Sequence, residues 1–253
     1  MMNNDELEKL LDSSDSVLSL LNMRTEDLAA KLGQEFAAMK GFQQNNPHHC
    51  YDLLEHTIHC VVSIPAEGLE KSELFLLRLA ALFHDIGKLK TAKDKGNRTV
   101  FYGHAEKSRE MAASILPCLG IDGDTCERIC WLIGNHDVFI NFKEPEELSG
   151  STNSYLHPIT RNEVDRVISK NQRKAEKEGT YKPTLEDYVL LCRLIYADAE
   201  SQAEEVYMDG DLIDSRKEKE RRISLIQQYV YEIAQRNQLS IGNSQGGYGI
   251  SQG

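Results

Sequence analysis

The ten residues from Leu74 to Phe83 carry one charge, Arg78, and run directly into His84-Asp85. A helix that is apolar nearly all round has no face to offer water, so it belongs in the middle of a fold with other elements packed around it. Whatever follows it is held at the edge of a buried element. Here that is His84-Asp85-Ile86-Gly87-Lys88. A neutral imidazole beside a carboxylate suits a divalent transition metal, and Lys88 suits an anionic substrate. The combination points to metal-assisted attack on a phosphate ester.

Most of the chain has helical periodicity. Leu7 to Leu21 and Asp27 to Met39 read as amphipathic helices packed outside the centre, and Tyr51 to Ile64 as a third with Leu53, Leu54, Ile58, Val61 and Val62 on its apolar face. Pro65 closes it. The central helix covers about Ser72 to Asp85, and a loop from Ile86 to Gly103 leads to helices near His104–Leu116 and Asp124–Gly134. Glu163 to Glu178 is polar enough for a solvated arm. Thr184 with Asp187 three residues later opens a long helix expected to reach Met208. Another covers Ser215 to Arg236. Only Arg98 to Tyr102 hints at a strand. The expectation is an all-α protein with peripheral helices over residues 1–42, a core over 43–210 and a C-terminal helix over 211–239 packed on it. Residues 240–253, rich in Gly, Ser and Gln, are expected to be disordered.

The formal net charge of −11 argues against a long polyanion held by general electrostatics, since nucleic-acid affinity leans on many cationic contacts. A small anion needs only a local patch. Between Ile86 and Arg109 seven cations stand against two acids. No apolar run approaches the roughly 18 residues needed to cross a bilayer, and the acidic, polar amino terminus does not read as a signal peptide. A cytoplasmic protein is expected. The six cysteines are scattered without a C-x-x-C pair and read as ordinary buried thiols. Oligomeric state is not legible.

Among the eight histidines, His56 lies mid-helix beside a buried stripe, His84 ends the central helix, His104 opens the next one and His136 ends another. Asp198 sits inside the apolar stretch Val189 to Ala199, where an unpaired carboxylate would be costly and a cation would remove the cost. A divalent metal wants such nitrogen and oxygen donors from separate elements, with a position left open. His59, His157 and Asp137 read as ordinary structural or surface residues. The triplets Asp122-Gly123-Asp124 and Asp209-Gly210-Asp211 read as turns or helix caps.

The ordered series "EHT" at 55–57, "ALFHDIGK" at 81–88 and "YADAE" at 196–200 resembles the signature of the HD superfamily of metal-dependent phosphohydrolases. The surrounding "QQNNPHHCYDLLEHT", "FYGHAEKS" and "LIGNHD" are most similar to the HD region of bacterial CCA-adding enzymes, over about Gln43 to Gln202. The resemblance implies a compact multi-helix HD-domain bundle. It also implies that His56, His84, Asp85 and Asp198 hold one metal, and that His104 and His136 help hold a second with Asp85 bridging. Manganese, iron, cobalt, nickel, zinc and magnesium all suit such donors. Asp85 would orient the attacking water and Lys88 would stabilise phosphoryl charge, while His48, His49 and Arg193 would help position phosphate or sugar.

The expected activity is hydrolysis of a small nucleotide-like phosphomonoester or 2′,3′-cyclic phosphodiester. The alternatives are a non-catalytic regulatory module that binds metal and nucleotide, or an accessory module to a tRNA nucleotidyltransferase. No nucleotidyltransferase head is legible. No G-Y-P loop follows His84-Asp85, which sets aside the cyclic-dinucleotide branch of the superfamily.

Overall fold

The computed structural model describes residues 2–148 and 153–245, with side chains described through 236. In it the apolar run is a helix in which every residue from Leu76 to Phe83 is buried. Arg78 is buried with the rest, and its guanidinium has a structural partner: Nη1 donates to the carbonyls of Leu11 at 2.6 Å and Asp12 at 3.0 Å. Those carbonyls end an N-terminal helix and have no intrahelical donor, so one cation satisfies two orphaned acceptors and interacts favourably with the helix dipole.

Along the chain, α1 (Asn4–Leu11), α2 (Ser14–Leu18), α3 (Thr25–Leu32) and α4 (Gln34–Met39) come first. Their apolar faces are continuous with the main core, and Phe36 meets Phe83 edge-to-face at 5.1 Å. α5 (Leu53–Val62) and the central α6 (Lys71–Phe83) follow, then the short α7 (Lys88–Thr91). The antiparallel pair β1 (Lys93–Asp94) and β2 (Thr99–Val100) leads to α8 (His104–Ile115) and α9 (Gly123–Asn135). A parallel bridge of β3 (Phe142–Lys143) with β4 (His157–Pro158) precedes α10 (Arg161–Glu178) and α11 (Leu185–Glu200). The hairpin β5 (Glu205–Met208) and β6 (Asp211–Ser215) then leads into α12 (Arg216–Gln245). The architecture is all-α, with only these short strands among the described residues.

Three expectations are corrected. The two N-terminal helices are each broken, because Ser13 caps a fresh helix by accepting from Ser16 N, and Gly33 at φ +110° interrupts the second. The strand hinted at Arg98 to Tyr102 shrinks to Thr99–Val100. The helix expected to reach Met208 stops at Glu200, and Ala203 N instead donates to His48 O at 2.9 Å. Asp209 and Gly210, both at positive φ, then make the tight turn of a hairpin. Asp122 caps α9, so both Asp-Gly-Asp triplets have the turn and cap roles expected of them. Residues 240–245, expected in the tail, continue the backbone of α12, and 246–253 lie outside those described.

The segment after His84-Asp85 is pressed against α8. Gly87 N donates to Ser108 Oγ at 2.8 Å, and a Cβ at Gly87 would fall onto the His104 carbonyl oxygen and lie 2.5 Å from Ser108 N. Gly87 has helical φ and ψ, so space and not backbone freedom requires glycine there. Gly87→Ala is expected to lower unfolding free energy by roughly 1–3 kcal/mol in urea titrations. Gly123→Ala, where a Cβ meets nothing within 4 Å, should change it by less than about 1 kcal/mol.

Candidate metal centre

Four side chains from three separate helical segments converge at the inner end of a cavity. His56 comes from the middle of α5, His84 and Asp85 from the turn after α6, and Asp198 from the last turn of α11. One donor atom from each lies within 4.8 Å of the others. His56 Nε2 is 3.1 Å from both Asp85 Oδ2 and Asp198 Oδ1, and His84 Nε2 is 3.2 Å from Asp85 Oδ2 and 3.6 Å from Asp198 Oδ1. Both imidazoles are fully buried.

The opposite edges of the rings determine what those short distances mean. His84 Nδ1 donates to Ala81 O at 2.7 Å, and His56 Nδ1 faces Ser201 O at 3.2 Å and Ser201 Oγ at 3.0 Å. The Ser201 hydroxyl itself donates to Asp198 O at 2.7 Å, so it accepts from His56. A carbonyl requires a proton on Nδ1, which leaves a lone pair on each Nε2 in the neutral ring. With both rings neutral, nitrogen lone pairs would face carboxylate lone pairs in a buried interior, a conflict that a shared proton or a bound cation relieves. His56 Nε2, His84 Nε2, Asp85 Oδ1 and Asp198 Oδ1 all lack a hydrogen-bond partner. A divalent cation held by the first group would satisfy His56 Nε2, His84 Nε2 and Asp198 Oδ1, and imidazoles held by a second hydrogen bond are the usual form of metal ligands.

A second group shares Asp85. His104 Nε2 is 3.2 Å and His136 Nε2 is 3.7 Å from Asp85 Oδ1, and the two imidazole nitrogens face each other at 3.1 Å. Their Nδ1 atoms donate to Phe101 O at 3.0 Å and Ile133 O at 2.6 Å. Asp85, His104 and His136 thus form a second set able to hold a metal, with Asp85 Oδ2 toward one set and Oδ1 toward the other. Asp137, expected to be an ordinary surface residue, places Oδ2 3.3 Å from His104 Nε2. Its adjacency to His136, a second His-Asp pair at a helix end, was the available signal.

Opposite charges are tightly paired at this point. Burial alone would lower His84, yet the Asp85 and Asp198 carboxylates outweigh it and push the ring up to about 10. Burial alone would raise Asp85 and Asp198, yet facing positive charge and hydrogen bonds hold both well below the usual carboxylate range. Both results describe a pocket that draws in positive charge.

Lys88 is buried, with Nζ 2.6 Å from Asp85 Oδ2, 2.9 Å from Gln44 Oε1 and 3.3 Å from His49 Nε2. An ammonium has three protons, so all are directed at protein groups. Lys88 fixes the shared carboxylate, a role its sequence position did not reveal. The cavity that contains these residues has a volume of about 700 Å³ and is lined by both His48 and His49. Arg193 is corrected. Its Nη1 donates to the carbonyls of Pro65 at 2.6 Å and Glu67 at 2.8 Å, pinning the loop between α5 and α6 away from the cavity. His59 stacks on Tyr51 and His157 pairs with Glu163, as ordinary residues do. Asp85, Asp198, His104 and His136 line this cavity, His56 and His84 are fully buried, and among the described residues neither metal-capable group includes a cysteine.

Purified protein loaded with Mn²⁺ or Co²⁺ is expected to hold two ions per chain by elemental analysis. His136→Ala should hold one, and Asp198→Asn should lose the ion of the His56–His84 group; unchanged loading of Asp198→Asn would remove that assignment. Ser201→Ala, which deprives His56 of one of its two partners, should weaken binding roughly tenfold in calorimetric titration. Metal at a hundredfold excess over Kd should stabilise the wild-type fold by about 2.7 kcal/mol.

Comparison with known proteins agrees with this geometry. The chain is 33% identical over 138 residues to a CC-adding tRNA nucleotidyltransferase of Thermus thermophilus, covering 52% of this chain and 30% of that protein. It is 31% identical over 137 residues to an A-adding tRNA nucleotidyltransferase of Deinococcus radiodurans, covering 53% and 31%. A bifunctional uridylyltransferase/uridylyl-removing enzyme of Ruegeria pomeroyi is 25% identical over 160 residues, covering 56% and 16%. The match thus spans less than a third of each of these relatives. The HD domain family matches residues 23–232, which takes in every residue of both metal-capable groups. With that match over most of its length, the chain belongs to the HD domain family, a family of metal-dependent phosphohydrolase type.

Proposed function

We propose that this chain is a metal-dependent phosphohydrolase acting on a small nucleotide-like phosphomonoester or 2′,3′-cyclic phosphodiester. The observation that carries the reading is Asp85, a buried carboxylate placed between two sets of imidazoles whose Nδ1 atoms are turned to main-chain carbonyls and whose Nε2 atoms face it. Divalent ions held by such donors supply Lewis-acid charge that lowers the pKa of water toward neutrality and offsets charge on phosphoryl oxygens. The chain's own residues provide position. Lys88 and the two histidine groups fix Asp85, so its carboxylate is oriented before substrate arrives and costs no reorganisation during attack. Asp137, partly exposed beside His104, is a carboxylate within reach of water at the cavity side of the cluster.

The cavity accommodates the rest of a nucleotide. Its volume of about 700 Å³ lies within the usual range for small-molecule sites. Phe101, Tyr102, Phe139 and Ile140 line it alongside the polar cluster, and Tyr102 is 70% exposed, so its ring is free to stack on a base. The Ruegeria relative is named for uridylyl removal, which supports hydrolytic chemistry on a nucleotide. The net charge of −11 supports a small substrate over a long nucleic acid.

Purified protein with Mn²⁺ or Co²⁺ is expected to release phosphate, or open the ring, for at least one member of a panel of nucleoside 2′-, 3′- and 5′-monophosphates and 2′,3′-cyclic phosphates. Chelator should abolish it. Nucleotide binding without turnover under any metal would replace this reading by the regulatory one. Lys88→Met should lower kcat/KM by roughly a hundredfold, because the shared carboxylate loses its fixed partner. Asp85→Asn should lower it by at least that much.

A further inference from the structure

Beyond the metal cluster the cavity has a second end, and two adjacent histidines divide them. His49 faces inward: its Nε2 is 3.3 Å from Lys88 Nζ and its ring centroid is 4.9 Å from that of His56. His48 faces the other way, with Nδ1 3.1 Å from Lys219 Nζ. The charges bearing on His48 are those of Lys219, Asp214, Lys143 and Arg98, and none belongs to a metal-capable residue. Lys219 comes from α12, and its ammonium also donates to Gln202 Oε1 at 2.6 Å, whose Nε2 donates to Asp198 Oδ2 at 3.1 Å. Two hydrogen bonds therefore connect this end to a metal ligand.

The acids here are already engaged. Asp214 receives Arg222 Nη1 at 3.2 and 3.3 Å and lies 3.7 Å from Lys143 Nζ, while Glu147 receives Arg222 Nη2 at 2.7 Å. Glu218 Oε2 accepts from Ser215 N at 3.1 Å and lies 3.8 Å from Arg222 Nη2. Among the described residues Lys219 and Arg98 have no carboxylate within 4.0 Å, although both are half-buried and line the cavity. An ion built only to stabilise the fold at such a place would have been given a counter-charge. The Lys219 ammonium donates to His48 Nδ1, so the His48 proton lies on Nε2 and is available to an acceptor.

We propose that Lys219, Arg98 and His48 form a second anion subsite, so that the substrate is a nucleotide carrying a phosphate in addition to the one at the metal cluster. The assignment of the inner phosphate rests on the hydrolase reading; the second subsite rests on the geometry of this end alone. Three donors, two of them cationic side chains, suit the several oxygens of a terminal phosphate better than a neutral sugar.

The test uses the full chain with Mn²⁺ and compares adenosine 3′,5′-bisphosphate with adenosine 3′- and 5′-monophosphate by calorimetric titration and by phosphate release. The bisphosphate is expected to bind about tenfold or more tightly than either monophosphate, the size of a charge-assisted contact. Arg98→Gln should remove most of that advantage, with kcat for the monophosphates and the melting temperature unchanged, and Lys219→Gln, on a different element, should also remove most of it. Equal affinity for mono- and bisphosphate, or variants that keep the full preference, overturns the subsite. A binding preference without phosphate release sustains the subsite while sinking the hydrolase reading. Release from mono- and bisphosphate at equal kcat/KM, untouched by Lys219→Gln, does the reverse.

Discussion

Four imidazoles are tied at Nδ1 to main-chain carbonyls, and the rest of this structure depends on that arrangement. Two of those carbonyls, Ala81 and Ile133, belong to the last turns of α6 and α9, where intrahelical donors run out and Ile133 O has a long 3.5 Å contact from His136 N besides the ring. The ring that follows each helix gives a last-turn carbonyl a short hydrogen bond and is oriented by it. One hydrogen bond therefore ends a helix, fixes a tautomer and aims a ligand atom. This explains why the donors gather at helix ends and why α6 has to be apolar all round: its end must be carried into the middle of the fold without leaving a buried polar group unsatisfied. Arg78 solves the same problem at the other face, where its guanidinium takes up the last carbonyls of α1.

The parts of the site legible in the sequence were those whose chemistry conflicts with their surroundings. His84-Asp85 at the end of an apolar run and Asp198 inside one are both costly unless a cation is near, and both are metal-capable in the structure. Arg193 was misread because its helix was considered without its phase. Five residues at about 100° each place it roughly 140° around α11 from Asp198, on a face that cannot reach the same cavity. Asp137 was passed over because a polar residue after a helix is ordinary, and only the approach of His104 from α8 gives it a partner.

The largest loss of information came from one secondary-structure boundary. A helix continued to Met208 would carry Ser201 and Gln202 onward as routine helical residues. Because α11 stops at Glu200, Ser201 turns back to hold both His56 and the Asp198 carbonyl, and Gln202 reaches Asp198 and Lys219. The hairpin then reverses the chain so that α12 forms a wall of the cavity. Nothing in local periodicity specifies this. It depends on Asp209-Gly210 favouring a tight reversed turn, and on Ala203 pairing with the His48 carbonyl far earlier in the sequence. The C-terminal helix, read from sequence as packing on a finished core, supplies part of the site itself.

The electrostatics of the molecule act on two length scales, and this separation bears on the proposed substrate. At physiological salt, exposed charges more than about 8 Å away are largely screened. A small anion inside the cavity therefore responds to the metal cluster, Lys88, Lys219 and Arg98 rather than to the overall charge of −11. A long nucleic acid cannot be confined in the same way. Beyond the few atoms that enter, its phosphates would depend on general electrostatics, and a net charge of −11 gives little of the cationic surface by which a nucleic-acid-binding protein releases counterions. The tRNA nucleotidyltransferase relatives extend well past the region shared with this chain, so their names leave the local balance of charge as the better guide to what this cavity accepts. Under the proposed second subsite, that balance suits a compact substrate with its negative charge gathered at two points, one at each end of the pocket.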